Sequence, residues 1–507
     1  MTAIPTPEAD ATPADSTKAT RSLRSGSLGL WHAVIISIGV MSPAASIFFN
    51  TIPQAQYAGL AIPLCYVIGF VVALLVANPY SELARELPSS GSAYTFVSEG
   101  ISPRWGFFTG WVGLIAIGLG APFTFMMMSY NVQTLVYRFF GFNLHWGFYL
   151  IVITLVVFTL SVIGARESLR VDLVFLSFEL GVCLLLAGVI LWHAGATNTL
   201  TAAPFSPGVV PPQGDLAIGI VLGVLSFIGF ETATTLGEET NNPRRNIPRA
   251  VYASMIVIGL FYVIMAYAAT IGYPGKIATG YANDPAPFDT LARHVGGPVF
   301  AAFIDLVGLF SFFSASLAIV NGGSRILYAV ARDNLLPRWL AWTHPQRRTP
   351  AGAITLLCAL GLTIGLGAGL LLTPLGAYTF LSTLDAVFIL IIYTLVCLAC
   401  ILFFLRKQRA QFKLLRHGIL PAIGTLISAA IFVAAIIPSP GSGALELVPV
   451  VVAVWAILGV VVIIVLRKQL RQMGESLAAS PPGDMTPRAE TAIPAEIVAE
   501  QSSVAQD

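Results

Sequence analysis

Four acidic side chains, Glu179, Glu231, Asp305 and Asp385, lie where this chain is otherwise apolar. A charge at the middle of a membrane helix costs on the order of 3 kcal/mol on insertion scales. Acids in such places usually face a cavity or a partner and mark an ion or substrate path. Each also has a plainer reading, as a hydrogen-bonding carboxyl that ties its helix to a neighbour. Glu179 stands halfway along the apolar stretch 171–192. A low dielectric disfavours the charged form of an acid. Glu179 therefore reads either as a protonatable coupling group or as a permanently neutral structural acid.

Soluble-enzyme chemistry is missing from the sequence. None of the six histidines precedes a glutamate, no GxSxG occurs, and Gly275-Lys276 is followed by Ile277 rather than by the Ser or Thr of a phosphate loop. With no nucleotide motif, a transporter built from this chain would draw on an ion gradient. All five cysteines (Cys65, Cys183, Cys358, Cys397, Cys400) fall in apolar stretches, so no disulfide framework is expected. Cys397 and Cys400 have a spacing that suits metal or redox chemistry. No second pair accompanies them, and they read as small core residues. Neither cofactor nor metal is expected.

Two apolar stretches are interrupted midway. In IISIGVMSPAASIFF (35–49), Pro43 removes a backbone donor and clashes with the preceding turn. Small residues, Ser42, Ala44, Ala45 and Ser46, surround it. In GVLSFIGFETATTLGEETNNPRRNIPRA (223–250), Ser226, Gly229 and Glu231 interrupt the run. An unpaired backbone group in hydrocarbon costs several kcal/mol, so breaks are tolerated where they line a polar cavity. Two breaks in matching places of two repeats point to a transporter's substrate site. Freed amides opening a second half-helix attract an anion, and freed carbonyls ending the first attract a cation. A zwitterion fits both. The substrate is accordingly expected near Ser42, Ala44, Ala45 and Ser46 and near Ser226, Phe227, Ile228, Gly229 and Phe230. The plainer reading of Pro43 is a kink packed against small residues. Phe227 and Phe230 can close over a ligand or simply pack.

The elements that must position these residues are membrane helices. The chain has 507 residues, only 10% of them charged, against about 25% in soluble domains, and its mean hydropathy is +0.81. Twelve stretches are long enough to span a bilayer: 32–50, 59–77, 105–137, 146–164, 171–193, 215–237, 250–273, 297–331, 353–373, 377–405, 417–437 and 447–466. The third, eighth and tenth are long enough to imply strong tilt. With both termini cytoplasmic, 23 of the 27 Lys and Arg fall on the inner side and 3 (Arg138, Lys276, Arg293) on the outer, while Arg325 sits near the inner end of span eight. That bias follows the positive-inside rule and leaves the basic loops in no need of a nucleic-acid partner. Residues 1–27 and 472–507 are polar and expected to be disordered cytoplasmic tails.

SFIGFETATTLGEETNNPRRNIPRA (226–250), YSELARELPSSGSAYTFVSEGISPRWGFFTGW (80–111) and SRILYAVARDNLLPRWL (324–340) all occur among the twelve spans. Together they resemble the sixth-helix, second-helix and eighth-helix signatures of the amino acid–polyamine–organocation superfamily. The resemblance covers roughly residues 28–470. It implies an all-α integral membrane fold of twelve transmembrane helices: two inverted five-helix repeats, leucine-transporter-like, plus two C-terminal helices. The transporter domain would run over 28–471, with repeat one at about 28–193, repeat two at about 215–405 and the extra helices at about 417–466. It also implies secondary transport of amino acids or related amines, with the substrate carboxylate on amides of a G-x-G in helix one and its ammonium on carbonyls of helices one and six. This sequence departs there, carrying Ala44-Ala45-Ser46 before Ile47-Phe48, and each added Cβ narrows the approach to the backbone. Many proton-coupled relatives place a lysine where Glu179 stands.

The expectation is a secondary active amino acid transporter of the cell (inner) membrane, multi-pass, with both termini cytoplasmic. It would be driven by protons, with sodium as the other candidate ion, and work by alternating access around broken helices one and six. Coupling candidates are Glu179, Glu231, Asp305 and Asp385. An exchanger or importer of an organic amine (ethanolamine or polyamine class) is the alternative, and a transport-like sensor the remote one. A membrane enzyme would need a paired-acid or nucleophile–base motif, which is absent. Partners are the small-molecule substrate, the coupling ion and lipid, with the chain a monomer or homodimer. The charged groups after spans two and six (Glu82, Arg85, Glu86; Glu238, Glu239, Arg244, Arg245) read as a cytoplasmic gate or as loop anchors.

Overall fold

The computed structural model describes Gly26 and residues 28–467, apart from residues 90, 213, 278, 285, 333–335, 438–442 and 466. The two expected disordered tails thus lie outside the described residues, except for Gly26. Apart from one isolated β-bridge between Leu28 and Thr240, the regular elements among the described residues are all helical. The first span is broken: α1 (Leu30–Met41) ends at Ser42, and α2 (Pro43–Ala58) restarts beyond it. Next come α3 (Ile62–Glu86), the short α4 (Ala93–Gly100), α5 (Pro103–Phe140), α6 (Trp146–Ile163) and α7 (Ala165–Ala196). The sixth span is also broken. It consists of α8 (Leu216–Leu225), an irregular turn over Ser226–Gly229, and the 3-10 segment Phe230–Leu236. Then follow α9 (Pro243–Gly272), α10 (Pro287–Arg332), α11 (Ala351–Leu372), α12 (Pro374–Arg406), α13 (Leu420–Ile436) and α14 (Val448–Val465).

Eleven helical stretches among the described residues are long and apolar enough to cross a membrane. The first of them, Leu30–Glu86, has 57 residues and folds as α1, α2 and α3. At about 1.5 Å per residue that is far more than one crossing of a roughly 30 Å hydrocarbon core, so it supplies two of the twelve crossings. The expected long third, eighth and tenth spans are α5, α10 and α12, of 38, 46 and 33 residues. In α10 the helix bends at Gly297, whose φ is +72°.

Outward-facing Val174, Leu185, Trp192, Leu426, Val454 and Ile464 are exposed. In a multi-pass membrane protein they form the lipid girdle, since hydrocarbon rather than water covers them. The pairing of helices follows the order of the spans. The first and sixth are broken, the second (α3) packs along the seventh (α9), and the third (α5) packs against the eighth (α10). Such a five-helix offset is what an internal repeat requires.

Ion pairs gather at both ends of the bundle. At one end, Arg138 pairs with Asp305 and lies 3.6 Å from Asp289, which also holds Arg293 at 2.6 Å. At the other end, Arg325 pairs with Glu239, Arg332 with Glu238 at 2.8 Å and Lys407 with Glu99 at 2.7 Å. The chain enters α1 at this second end, where Leu28 N–H donates to the Glu239 carbonyl and Asn241 N–H donates to that of Leu28.

Candidate functional site

The two breaks lie side by side in the buried centre of the bundle. At the first, Ser42 takes a left-handed conformation, φ 46° and ψ 68°. Held in a non-glycine residue, this costs on the order of 1–3 kcal/mol and persists only where surroundings enforce it. Pro43 then opens α2, where its missing N–H costs nothing. At the second, Gly229 has φ +118°. A Cβ on Gly229 would sit 2.5 Å from Val40 Cγ1 and 3.0 Å from the Met41 amide, so the α8 break is seated directly on the end of α1.

Three side chains tie the breaks together. Ser37 donates to the Phe230 carbonyl at 3.0 Å and accepts from the Ala233 amide at 2.9 Å. The Tyr262 hydroxyl, from α9, lies 3.0 Å from the Met41 carbonyl and 2.9 Å from that of Ser226. One proton thus serves the last carbonyls of both first half-helices. Ser226 Oγ in turn receives Asn50 Nδ2 at 2.8 Å and meets the Tyr66 hydroxyl at 3.2 Å.

The start of α2 differs from the free amides that the break alone suggests. Glu179 Oε1 accepts from the Ala44 amide at 2.6 Å and from Ser311 Oγ at 2.8 Å, while Ser311 Oγ accepts from the Ala45 amide at 3.0 Å. The Ser46 amide bonds the Ser42 carbonyl, and Ser46 Oγ donates to that of Met41 at 2.7 Å. The anion at this helix N-terminus is therefore the protein's own carboxyl. The reason is the dipole and the dryness together: buried amides of a first turn need acceptors, and a carboxyl on the facing helix supplies one. In this conformation a substrate carboxylate reaches Ala44 and Ala45 amides only by displacing Glu179 and Ser311.

Glu231 has the same task at the other break. Its Oε2 accepts from the Gly229 amide at 3.0 Å and from the Tyr393 hydroxyl at 2.6 Å. Asp385, two turns before Tyr393 on α12, is half-buried and lies within reach of the Glu231 charge. Asp305 is not brought to the breaks; it belongs to the ion network with Arg138, at the end opposite Arg325 and Glu239. Phe227 and Phe230 are each 1% exposed. They pack on Phe70 and Tyr262, and on Tyr80 and Tyr393, respectively. Ile228 is partly buried beside them.

The end of the bundle that carries Arg325 and Glu239 is closed over the breaks. Arg325, 2% exposed, holds Glu239 and the Asn321 carbonyl, and Ser92 bonds Thr234. Glu82 lies within 3.6 Å of Arg85, 3.8 Å of Arg416 and 3.4 Å of His417. Sequence reasoning missed Ser37, Tyr262, Ser311 and Tyr393. Each is a hydroxyl in an apolar run, with no spacing to distinguish it from ordinary intrahelical serine or tyrosine.

A family model described as amino acid permease matches residues 28–463 of the chain. The chain is 26% identical over 427 residues to a branched-chain amino acid permease of Lactococcus lactis subsp. cremoris, covering 78% of this chain and 87% of that protein. It is 25% identical over 311 residues to a low-affinity putrescine importer of Escherichia coli K12, covering 59% of this chain and 66% of that protein. Among solved structures, a mutant of the Eremococcus coleocola manganese transporter superimposes with a TM-score of 0.54 at 14% identity, over 91% of this chain and 97% of that one. That likeness concerns the fold alone, which is leucine-transporter-like.

Proposed function

Because the chain belongs to the amino acid permease family, and is a multi-pass membrane transporter rather than an enzyme, we propose that it moves an amino acid across the cytoplasmic membrane by alternating access around the breaks at Ser42 and Gly229, driven by protons through Glu179. The observation that carries this reading is the Glu179 carboxyl on the Ala44 amide and Ser311 hydroxyl. It is an ionisable group fully buried at the junction of α2, α7 and α10. Taking up or losing a proton there changes how tightly α2 is held to α7 and α10. A substrate carboxylate arriving at the same amides competes with Glu179 for them. Ligand and proton thereby act on one junction, which is what coupling requires.

The substrate site in this reading is formed by Ser42, Ala44, Ala45 and Ser46 together with Ser226–Phe230, in an open state reached when the Arg325–Glu239 and Ser92–Thr234 contacts part. The likeness to a branched-chain amino acid permease supports a neutral amino acid. Uptake of labelled leucine into proteoliposomes, with and without an acid-outside pH gradient, tests both parts. Uptake that ignores the gradient would remove the proton; no uptake or binding of any amino acid would remove the substrate class.

A cationic amine is the second reading. It rests on Asp385 and Glu231 lying close to the second break, two carboxyls for an ammonium group, and on the likeness to a putrescine importer. Competition by leucine against putrescine separates the two.

A further inference from the structure

Asp172 lies two turns before Glu179 on α7, so both carboxyls leave the same face of that helix. It is about 10 Å nearer the inner end. Asp172 is 1% exposed, and among the described residues neither of its oxygens has a partner in good hydrogen-bond geometry, although the buried Ser314 hydroxyl of α10 faces it. Glu179 Oε2 likewise has no partner among the described residues. Three helices meet around this carboxyl. On α1, a Cβ added to Gly39 would sit 2.9 Å from Asp172 Oδ2, 3.1 Å from the Ala318 methyl and 3.4 Å from the Ser314 carbonyl. The missing side chain of Gly39 is the space that Asp172 occupies. Ser314 acts on the carboxyl from α10, one turn from Ser311, which bonds Glu179. Polar groups on α7 and α10 thus run in parallel from the break toward the inner end.

A buried carboxylate faced by one hydroxyl and no cation is far costlier than the neutral acid. Relief comes from a proton or from a cation. The bare acceptors at hand are two carboxylate oxygens and one hydroxyl, whereas hard cations take about six oxygens. We propose that Asp172 is a second proton-binding site, which exchanges its proton with Glu179 as the transporter cycles. The inference rests on the reading of Glu179 as the coupling group. In the exchange the O–H bond at Asp172 breaks as one forms at Glu179, and the pair keeps a single proton. The Ser314 and Ser311 hydroxyls, which both accept and donate, bridge the distance. Glu179 is the ionisable group whose charge acts on Asp172; α1 presents Gly39, and α10 presents Ser314 and Ala318. Arg170, two residues earlier on α7, is exposed. Around Glu179 stand Cys183 on α7 and Tyr262 on α9.

Infrared difference spectra of the full chain in lipid vesicles, between acid and alkaline buffer, report carboxyl protonation without a substrate. Asp172→Asn should remove one carboxylic acid band and shift another, the one that Glu179→Gln removes. In leucine-loaded proteoliposomes Asp172→Asn should keep counterflow within about twofold of the parent while gradient-driven accumulation falls about tenfold, inside the usual range of a coupling free energy. Accumulation lost in Glu179→Gln but intact in Asp172→Asn, with unchanged bands, overturns this inference and leaves Glu179 as the coupling group. Accumulation intact in both variants overturns the Glu179 reading as well. A band that responds to sodium at constant pH replaces the proton by a metal cation. Should Asp172→Asn fail to insert, Gly39→Ala keeps the carboxyl and presses a methyl against Oδ2; an unshifted Asp172 band in that variant also overturns the proposal.

Discussion

The Glu179 carboxyl on α7 accepts the Ala44 amide at 2.6 Å, and so an acid 135 residues away caps the half-helix that Pro43 opens. A capping carboxyl favours the first turn of a helix through its amides and its dipole. Here the cap is an ionisable side chain, shared with Ser311; in the proposed mechanism its proton sets how firmly α2 is fastened.

Glu179→Gln keeps an oxygen for the Ala44 amide and removes the proton site. Substrate binding and exchange should survive, while pH-gradient-driven accumulation falls about tenfold or more, a coupling loss of at least about 1.4 kcal/mol. Equal accumulation in parent and variant, with the same pH dependence, would move the coupling role to Glu231 or Asp385.

Gly229→Leu should abolish substrate binding. The left-handed backbone there costs a non-glycine residue on the order of 1–3 kcal/mol, and its Cβ would meet Val40 Cγ1 at 2.5 Å. Ala45→Leu probes the facing break without backbone strain. Affinity measured by scintillation proximity, unchanged in both variants, would place the substrate elsewhere.

Arg325→Met leaves Glu239 buried without its cation. Breaking one side of a buried pair costs about 3–5 kcal/mol, so the detergent-solubilised protein should melt earlier. The contact also closes the inner end, so a cysteine introduced at Ala33 should label faster from that side. Arg325→Met with Glu239→Gln should recover part of the stability. A parent-like melting point for Arg325→Met alone would remove the pair from the gate.

Tyr262→Phe removes the hydroxyl shared by the Met41 and Ser226 carbonyls. A net hydrogen bond contributes about 0.5–1.5 kcal/mol. A modest loss of thermal stability should accompany a larger loss of transport, because the bond joins the two breaks. Unaltered transport in this variant would show that the breaks need no such tie.

Single-cysteine labelling of intact cells should reach residues 193–214 and 274–296 from outside and the 238–249 loop only after permeabilisation. Labelling of that loop in sealed cells would invert the membrane orientation inferred from the 23-to-3 charge bias.

Local composition already contains the membrane class, the twelve spans, the long third, eighth and tenth helices and the two breaks. An apolar run of some twenty residues has one stable form in lipid, and proline or glycine within it has one local consequence. Pro43 and Gly229 were legible because each removes helical support by itself. What occupies the freed groups was not legible, because every answer comes from another helix. Glu179 takes the Ala44 amide across 135 residues, Ser37 bridges Phe230 and Ala233, and Glu231 meets Tyr393. Asp305 and Glu179 look alike in sequence, each an acid in an apolar run. Only the packing sends one to Arg138 at one end of the bundle and the other to the centre. Hydrophobic pattern selects which segments enter the bilayer; the partners of their few polar groups depend on helix rotation and contact, which no short stretch of sequence encodes alone.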